Sequence, residues 1–250
     1  FPHLGEMLLQ GMVNQIALTR NMMGSCGDDP AFSVEDRKLF DPEIRYFIGG
    51  SQGSILGGTF LALSPDIDRG ALVVGGSGFS FMIERSIHFN RFELLLRPSY
   101  PKRVDSGLLM AFSQHVWDRA ESASYLQYLK SGLPELEGKE FIYLVAENDA
   151  QVPNLSSERA ARLADIPVMD QSVHLPWGVP VVQSPYQGSA YISMNVGDRP
   201  VDPRNLSPQD DDDGHGRVAF TDEGRAMISH FLRTGEVQVP CVGECDLTEP

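Results

Sequence analysis

Apolar and polar positions alternate along this chain in patterns that change with position. From Leu4 to Met23 the apolar residues Leu4, Met7, Leu8, Met12, Ile16 and Leu18 recur at helical spacing, with Gly24 as a stop. An amphipathic helix is expected there. A polar, Gly-rich stretch from Gly24 to Pro30 reads as a loop. Arg45-Tyr46-Phe47-Ile48 is a short bulky run that suits a buried strand, and it stops at Gly49-Gly50-Ser51-Gln52-Gly53. Ser54–Leu63 is small and apolar, as a helix packed closely on a sheet would be. Ala71-Leu72-Val73-Val74 is a second continuous apolar run, ended by Gly75-Gly76.

Between Phe79 and Pro134 no strand pattern appears. Stretches rich in Leu, Phe, Tyr and Trp, among them Met110–Arg119 and Ser124–Leu129, read as helices. Strand–helix alternation resumes with Phe141–Ala146, a helix near Ser156–Ala164, a Gly- and Pro-rich stretch at Trp177–Gly188 and a last strand at Ala190–Val196. A final helix is expected from Thr221, its N-cap, to Arg233. Continuous apolar runs alternating with helices predict an α/β fold: a mostly parallel sheet, buried on both faces, flanked by helices. One domain spans 1–250, with a helical cap inserted at 79–134. No repeat and no long linker divides the chain.

The chemistry concentrates at Gly49-x-Ser51-x-Gly53. A serine on a tight strand-to-helix turn has its Oγ pushed out above the sheet, and small residues two positions either side relieve backbone crowding. The following helix offers its N-terminus, so the Gln52 amide is the expected donor to an oxyanion. A Gly-rich structural turn is the competing reading, but the strand before and the helix after are the context the chemistry requires. A serine needs a base, and the base needs an orienting acid. Asp149 and Glu147 both lie in the loop after the Phe141–Ala146 strand, and Asp149 is preferred as the start of Asp149-Ala150-Gln151-Val152-Pro153. Of six histidines, His215 falls after the last strand and before the last helix, where the base belongs. His3 and His230 read as surface or helix residues, His88 and His115 as cap residues, and His174 comes too early.

Tyr46–Gly53, the Asp149-x-x-Val-Pro153 loop and Gly214-His215-Gly216 together resemble the α/β-hydrolase superfamily, and more narrowly its bacterial serine esterase-like members. The resemblance runs from about Leu39 to Arg233. It implies a Ser51–His215–Asp149 triad, an acyl-enzyme route to ester cleavage and no cofactor. Amide cleavage by the same triad, or a binding subunit that kept the fold, are the alternatives. A cap at this position implies an apolar pocket, to which Trp117, Phe112 and Tyr125 would contribute. The superfamily takes its second oxyanion donor from a loop after an early strand, and no such strand precedes Ser51 here. The first strands of the sheet are therefore expected to come from elsewhere, a companion N-terminal polypeptide or subunit. The opening at Phe1, without an initiator Met, agrees with processing.

Composition narrows partners. The formal net charge is −14 and charged residues make up 22% of the chain, which argues against nucleic acid and anionic membranes. No apolar run is long enough to span a bilayer. Cys241 and Cys245, four apart, could close a small disulfide, leaving Cys26 free or bridging to a partner. That favours an oxidising compartment, periplasmic or extracellular. The three cysteines lack the second ligand pair of a zinc site. The run Asp210–Asp213 could hold a hard cation but lacks EF-hand spacing, and a solvated loop is preferred.

Overall fold

The structure is a computed structural model and describes residues 3–35 and 37–248. Its centre is a six-stranded sheet. The strands are β1 (Phe47–Gly50), β2 (Arg69–Val73), β3 (Glu140–Ala146), β4 (Val168–Met169), β5 (Val181–Val182) and β6 (Ala190–Met194). They lie in the order β1-β2-β3-β6-β4-β5 and every pairing is parallel. Phe47 pairs with Gly70, Ala71 with Ile142 and Ile142 with Ala190, so one register runs through the four longest strands.

Both faces are covered, as continuous apolar strands require. On one face Ala71, Val73, Ile142, Leu144 and Ile192 pack beneath α8 (Asp222–Thr234) through Met227 and Phe231. On the other, Leu72, Phe141, Tyr143, Val145 and Tyr191 pack against Phe60 and Leu61 of α2 (Gln52–Leu63) and Ala160 and Ala161 of α6 (Asn154–Ala164). Each fully buried large side chain contributes about 1.5–3 kcal/mol. Thr221 caps α8 by accepting from the Gly224 amide at 3.0 Å.

The expected N-terminal helix is α1 (Leu4–Met23). It packs Ile16 on the α2-side core and buries Met12, while Met7 and Leu18 stay largely exposed. The insertion between β2 and β3 carries α3 (Phe79–Ile83), α4 (Phe89–Leu96) and α5 (Arg103–Trp117). The helix expected at Ser124–Leu129 is instead two 3-10 turns, Ser122–Ser124 and Leu126–Tyr128, which bury Leu126 in the α2 face. Within the stretch read as a Gly- and Pro-rich loop, the structure places β5 and a short ladder of Tyr186–Gln187 with Glu236–Val237. The expected strand at Ala190–Val196 ends at Met194, and the chain beyond it is held by the C-terminal tail, Asn195 N–H donating to the Cys245 carbonyl at 3.0 Å. Cys241 and Cys245 are joined as a disulfide and Cys26 is a free thiol. None of the described helices is long and apolar enough to cross a membrane.

Candidate active site

Ser51 stands where β1 becomes α2. Its φ of 56° and ψ of −122° are outside the regions a side-chain-bearing residue normally occupies. The turn is held from both sides: Ser51 N–H donates to the Val73 carbonyl of β2 at 2.9 Å, and the Ser51 carbonyl accepts from Ser54 and Ile55 at 2.8 and 2.9 Å. The Gln52 and Gly53 amides, first in the helix, have no earlier helical carbonyl to bond and remain free to donate. At Gly49 a Cβ would run into the Gly53 carbonyl and the Phe47 ring. At Gly53 a Cβ would meet nothing within 4 Å. The expected crowding on both sides of the serine therefore holds for Gly49 only.

The loop after β3 delivers Asp149 to the same carboxyl edge of the sheet. Asn148, at φ 61°, turns the chain so that Glu147 and Asp149 diverge. Asp149 is buried and its oxygens divide the work. Oδ1 accepts from the Gln151 and Val152 amides at 2.8 and 2.9 Å, and Oδ2 accepts from His215 Nδ1 at 2.6 Å. Glu147 faces His174 and Glu158 instead, and burial raises its pKa.

His215 lies in the short helix α7 (Gly214–Arg217), 8% exposed. With Nδ1 committed to Asp149, its Nε2 is buried and has no hydrogen-bond partner among the described residues. Ser51 Oγ makes no hydrogen bond to it in this arrangement. β1 and β3 flank β2, so their axes are about 10 Å apart. The other histidines are engaged elsewhere: His88 with Gln151 at 3.2 Å, His115 with Asp118 at 3.8 Å, His174 with Glu158 at 3.3 Å and His230 with Glu236 at 3.0 Å. His3 is exposed ahead of α1.

Three features beside these residues have no sequence signal. Val74, a β-branched residue at φ 45°, starts the loop after β2. Ser157 Oγ donates to the Gly75 carbonyl within that loop. Glu121 is fully buried and accepts from Gly78 N–H at 3.0 Å and from Gln114 Nε2 at 2.9 Å; Gln114 Oε1 in turn accepts from Ser80. These contacts tie α3, α5 and the post-β2 loop together. Of the aromatics expected to line a cap pocket, Trp117 stacks on Phe79 with centroids 4.2 Å apart, and Tyr125 packs on the α2-side core and donates its hydroxyl to the Arg119 carbonyl. Phe112 is 68% exposed on α5.

The loop 198–213 borders the acid loop. A cavity of about 430 Å³ lies between them, walled by Asn148, Ala150, Asp198, Asp202, Asp210 and Asp212. Arg199 binds Asp212 at 2.8 Å and holds its carboxyl down to about 2, while Asp211 accepts from Gln151. Among the described residues no group of three His, Cys, Asp or Glu could hold a metal ion.

A parallel sheet with a strained serine turn at its carboxyl edge, and an acid and histidine following in chain order, is the arrangement of an α/β-hydrolase-type fold. Among solved structures it is similar to a variant of the meta-cleavage product hydrolase CumD, at 17% identity over 60% of this chain, with a TM-score of 0.30. A second CumD variant, from Pseudomonas fluorescens IP01 and complexed with acetates, aligns at 15% identity over 60% of this chain, with a TM-score of 0.29. The chain spans 57% of the length of either hydrolase. No family model and no curated protein sequence matches it.

Proposed function

We propose that this chain carries the catalytic centre of a serine hydrolase acting on carboxylic esters. The observation that supports it most is the buried Asp149–His215 pair, with the second ring nitrogen unclaimed, on the sheet edge that also bears Ser51. His215 Nε2 takes the Ser51 proton as Oγ attacks the ester carbonyl. The Gln52 amide donates to the oxyanion, and the alcohol leaves with the proton from His215. Water, deprotonated by the same nitrogen, then releases the acid from the acyl-Ser51 ester. Asp149 keeps Nδ1 protonated and the ring aimed, its own orientation fixed by two backbone amides. Trp117 and Tyr125 act by holding the cap, and Phe112 offers an apolar surface to substrate. The Cys241–Cys245 disulfide supports a periplasmic or extracellular setting.

A fluorophosphonate probe tests the reading. Ser51 is the expected site of covalent labelling, and Ser51→Ala removes both label and p-nitrophenyl acetate hydrolysis. Asp149→Asn, with the fold intact by circular dichroism, is expected to lower kcat about 10⁴-fold, since the imidazole is then left in the wrong tautomer. Labelling at another residue, or unchanged hydrolysis by Ser51→Ala, sinks it.

A further inference from the structure

The outward side of the insertion between β2 and β3 departs from the rest of the surface in two ways. The first is apolar exposure. α5 is anchored through Trp117, stacked on Phe79, and through Gln114, bonded to Ser80 and Glu121. A helix held on one side normally presents polar residues on the other. Here Val104, Leu108 and Phe112 recur at every fourth position along the exposed side of α5. α4 adds Leu94 and Leu95, and of these five residues all but Leu108 are more than two-thirds exposed. The two helices border one cavity of about 300 Å³, to which α4 gives Phe89 and Leu96 and α5 gives Arg103 and Ser106. The second departure is charge. Residues 89–117 hold four Lys and Arg against two Asp and Glu, whereas the rest of the chain holds sixteen against thirty-two. Arg97 binds Glu93 at 3.2 Å, but Arg91, Lys102 and Arg103 are exposed and have no carboxylate partner among the described residues.

We propose that the α4–α5 face docks on a lipid bilayer that carries anionic headgroups. Leu94, Leu95, Val104, Leu108 and Phe112 would enter the acyl boundary, with Arg91, Lys102 and Arg103 at headgroup level. Large apolar side chains flanked by cations on short helices suit a bilayer interface, which accepts them without a preformed socket. Each uncompensated cation near an anionic leaflet strengthens binding roughly fivefold. The charge of −14 on the whole chain opposes approach at long range. Screening limits that reach to about 8 Å at physiological ionic strength, so the charges at the contact decide. The acidic loop 198–213 meets these helices through Asn205 and Pro208, not through its aspartates. A second copy of this chain fits less well, since its own apolar stripe is flanked by the same uncompensated cations and both chains carry −14. The inference goes beyond the hydrolase reading and does not depend on it.

Vesicle flotation tests it without any activity measurement. The purified protein is mixed with vesicles of phosphatidylcholine alone, or of phosphatidylcholine with about a quarter phosphatidylglycerol, at low salt. The protein is expected to float with the anionic vesicles and to bind the neutral ones roughly a hundredfold more weakly, with the gap closing in about 1 M salt. That comparison uses the unaltered protein and so does not depend on any variant folding. Leu108→Ser combined with Phe112→Ser, folded by circular dichroism, is expected to weaken binding to anionic vesicles about tenfold or more. Trp177→Ser, which removes an aromatic ring exposed elsewhere on the surface, is expected to bind as the parent does. Binding to neither vesicle, equal binding to both, no loss in the Leu108/Phe112 variant, or loss in Trp177→Ser would overturn the proposal. Sedimentation velocity without vesicles is expected to show a monomer. A dimer that the Leu108/Phe112 variant dissociates would give the face to a second copy and overturn the proposal as well.

Discussion

Gly49 and Gly53 flank Ser51 symmetrically in the sequence and unequally in space. A methyl group at Gly49 collides with backbone, whereas one at Gly53 points into open volume on a helix. Gly49→Ala is therefore expected to destabilise by about 1–3 kcal/mol, the usual cost of overpacking. Gly53→Ala is expected to be neutral or to stabilise by up to about 1 kcal/mol through helix propensity. Urea unfolding of the two variants checks this; equal losses would contradict the asymmetry. The turn that carries Ser51 was legible because its glycines and their flanking strand and helix are local. The choice between Glu147 and Asp149 was only half legible. It turns on the backbone at Asn148, which sends one carboxyl toward His174 and the other toward His215. No spacing rule encodes that divergence.

At the scale of elements, long periodic runs could be read from sequence and short ones could not. α1, α2, β3 and α8 carry enough residues for a period to show. β4 and β5 have two residues each, and they pair with one another, and β4 with β6, without any pattern of their own. The helices between β2 and β3 could be placed by the lack of a strand pattern, but not the carboxylate that ties them to the post-β2 loop. Glu121 has its pKa raised, first by burial, against the opposing effect of its hydrogen bonds and of Arg159. A carboxyl raised in the folded state binds more protons folded than unfolded. Its contribution to stability is thus full below the ordinary value of 4.5 and is lost as pH rises through the folded value. Glu121→Gln removes this dependence. The stability difference, Glu121→Gln minus the parent, is expected to become more favourable to the variant between pH 4.5 and pH 7, as followed by urea unfolding at each pH. A difference that stays constant over this range would show that Glu121 does not titrate in the fold.

For the whole molecule, the alternation of apolar runs with helices foretold the parallel sheet, while the order of its strands emerged only from the coordinates. Among the described residues the strand leading into Ser51 is an outer one of the sheet. Charge is the other property of the whole. The loop 198–213 sets six aspartates against two arginines, inside a chain already at −14. That loop walls the cavity beside the acid of the candidate triad. A molecule approaching this edge therefore meets a negative potential before it meets any atom, and its sign of charge governs how often it arrives. Esters carrying a quaternary ammonium are expected to show kcat/KM about tenfold above carboxylate-bearing esters of the same size at low ionic strength. The gap should close with added salt, as the screening length shrinks from about 30 Å at 0.01 M to about 3 Å at 1 M. A preference that persists unchanged in 1 M salt would assign it to direct contacts in the pocket. If it fades, the aspartate loop is a filter that acts at a distance, selecting by rate of encounter rather than by fit.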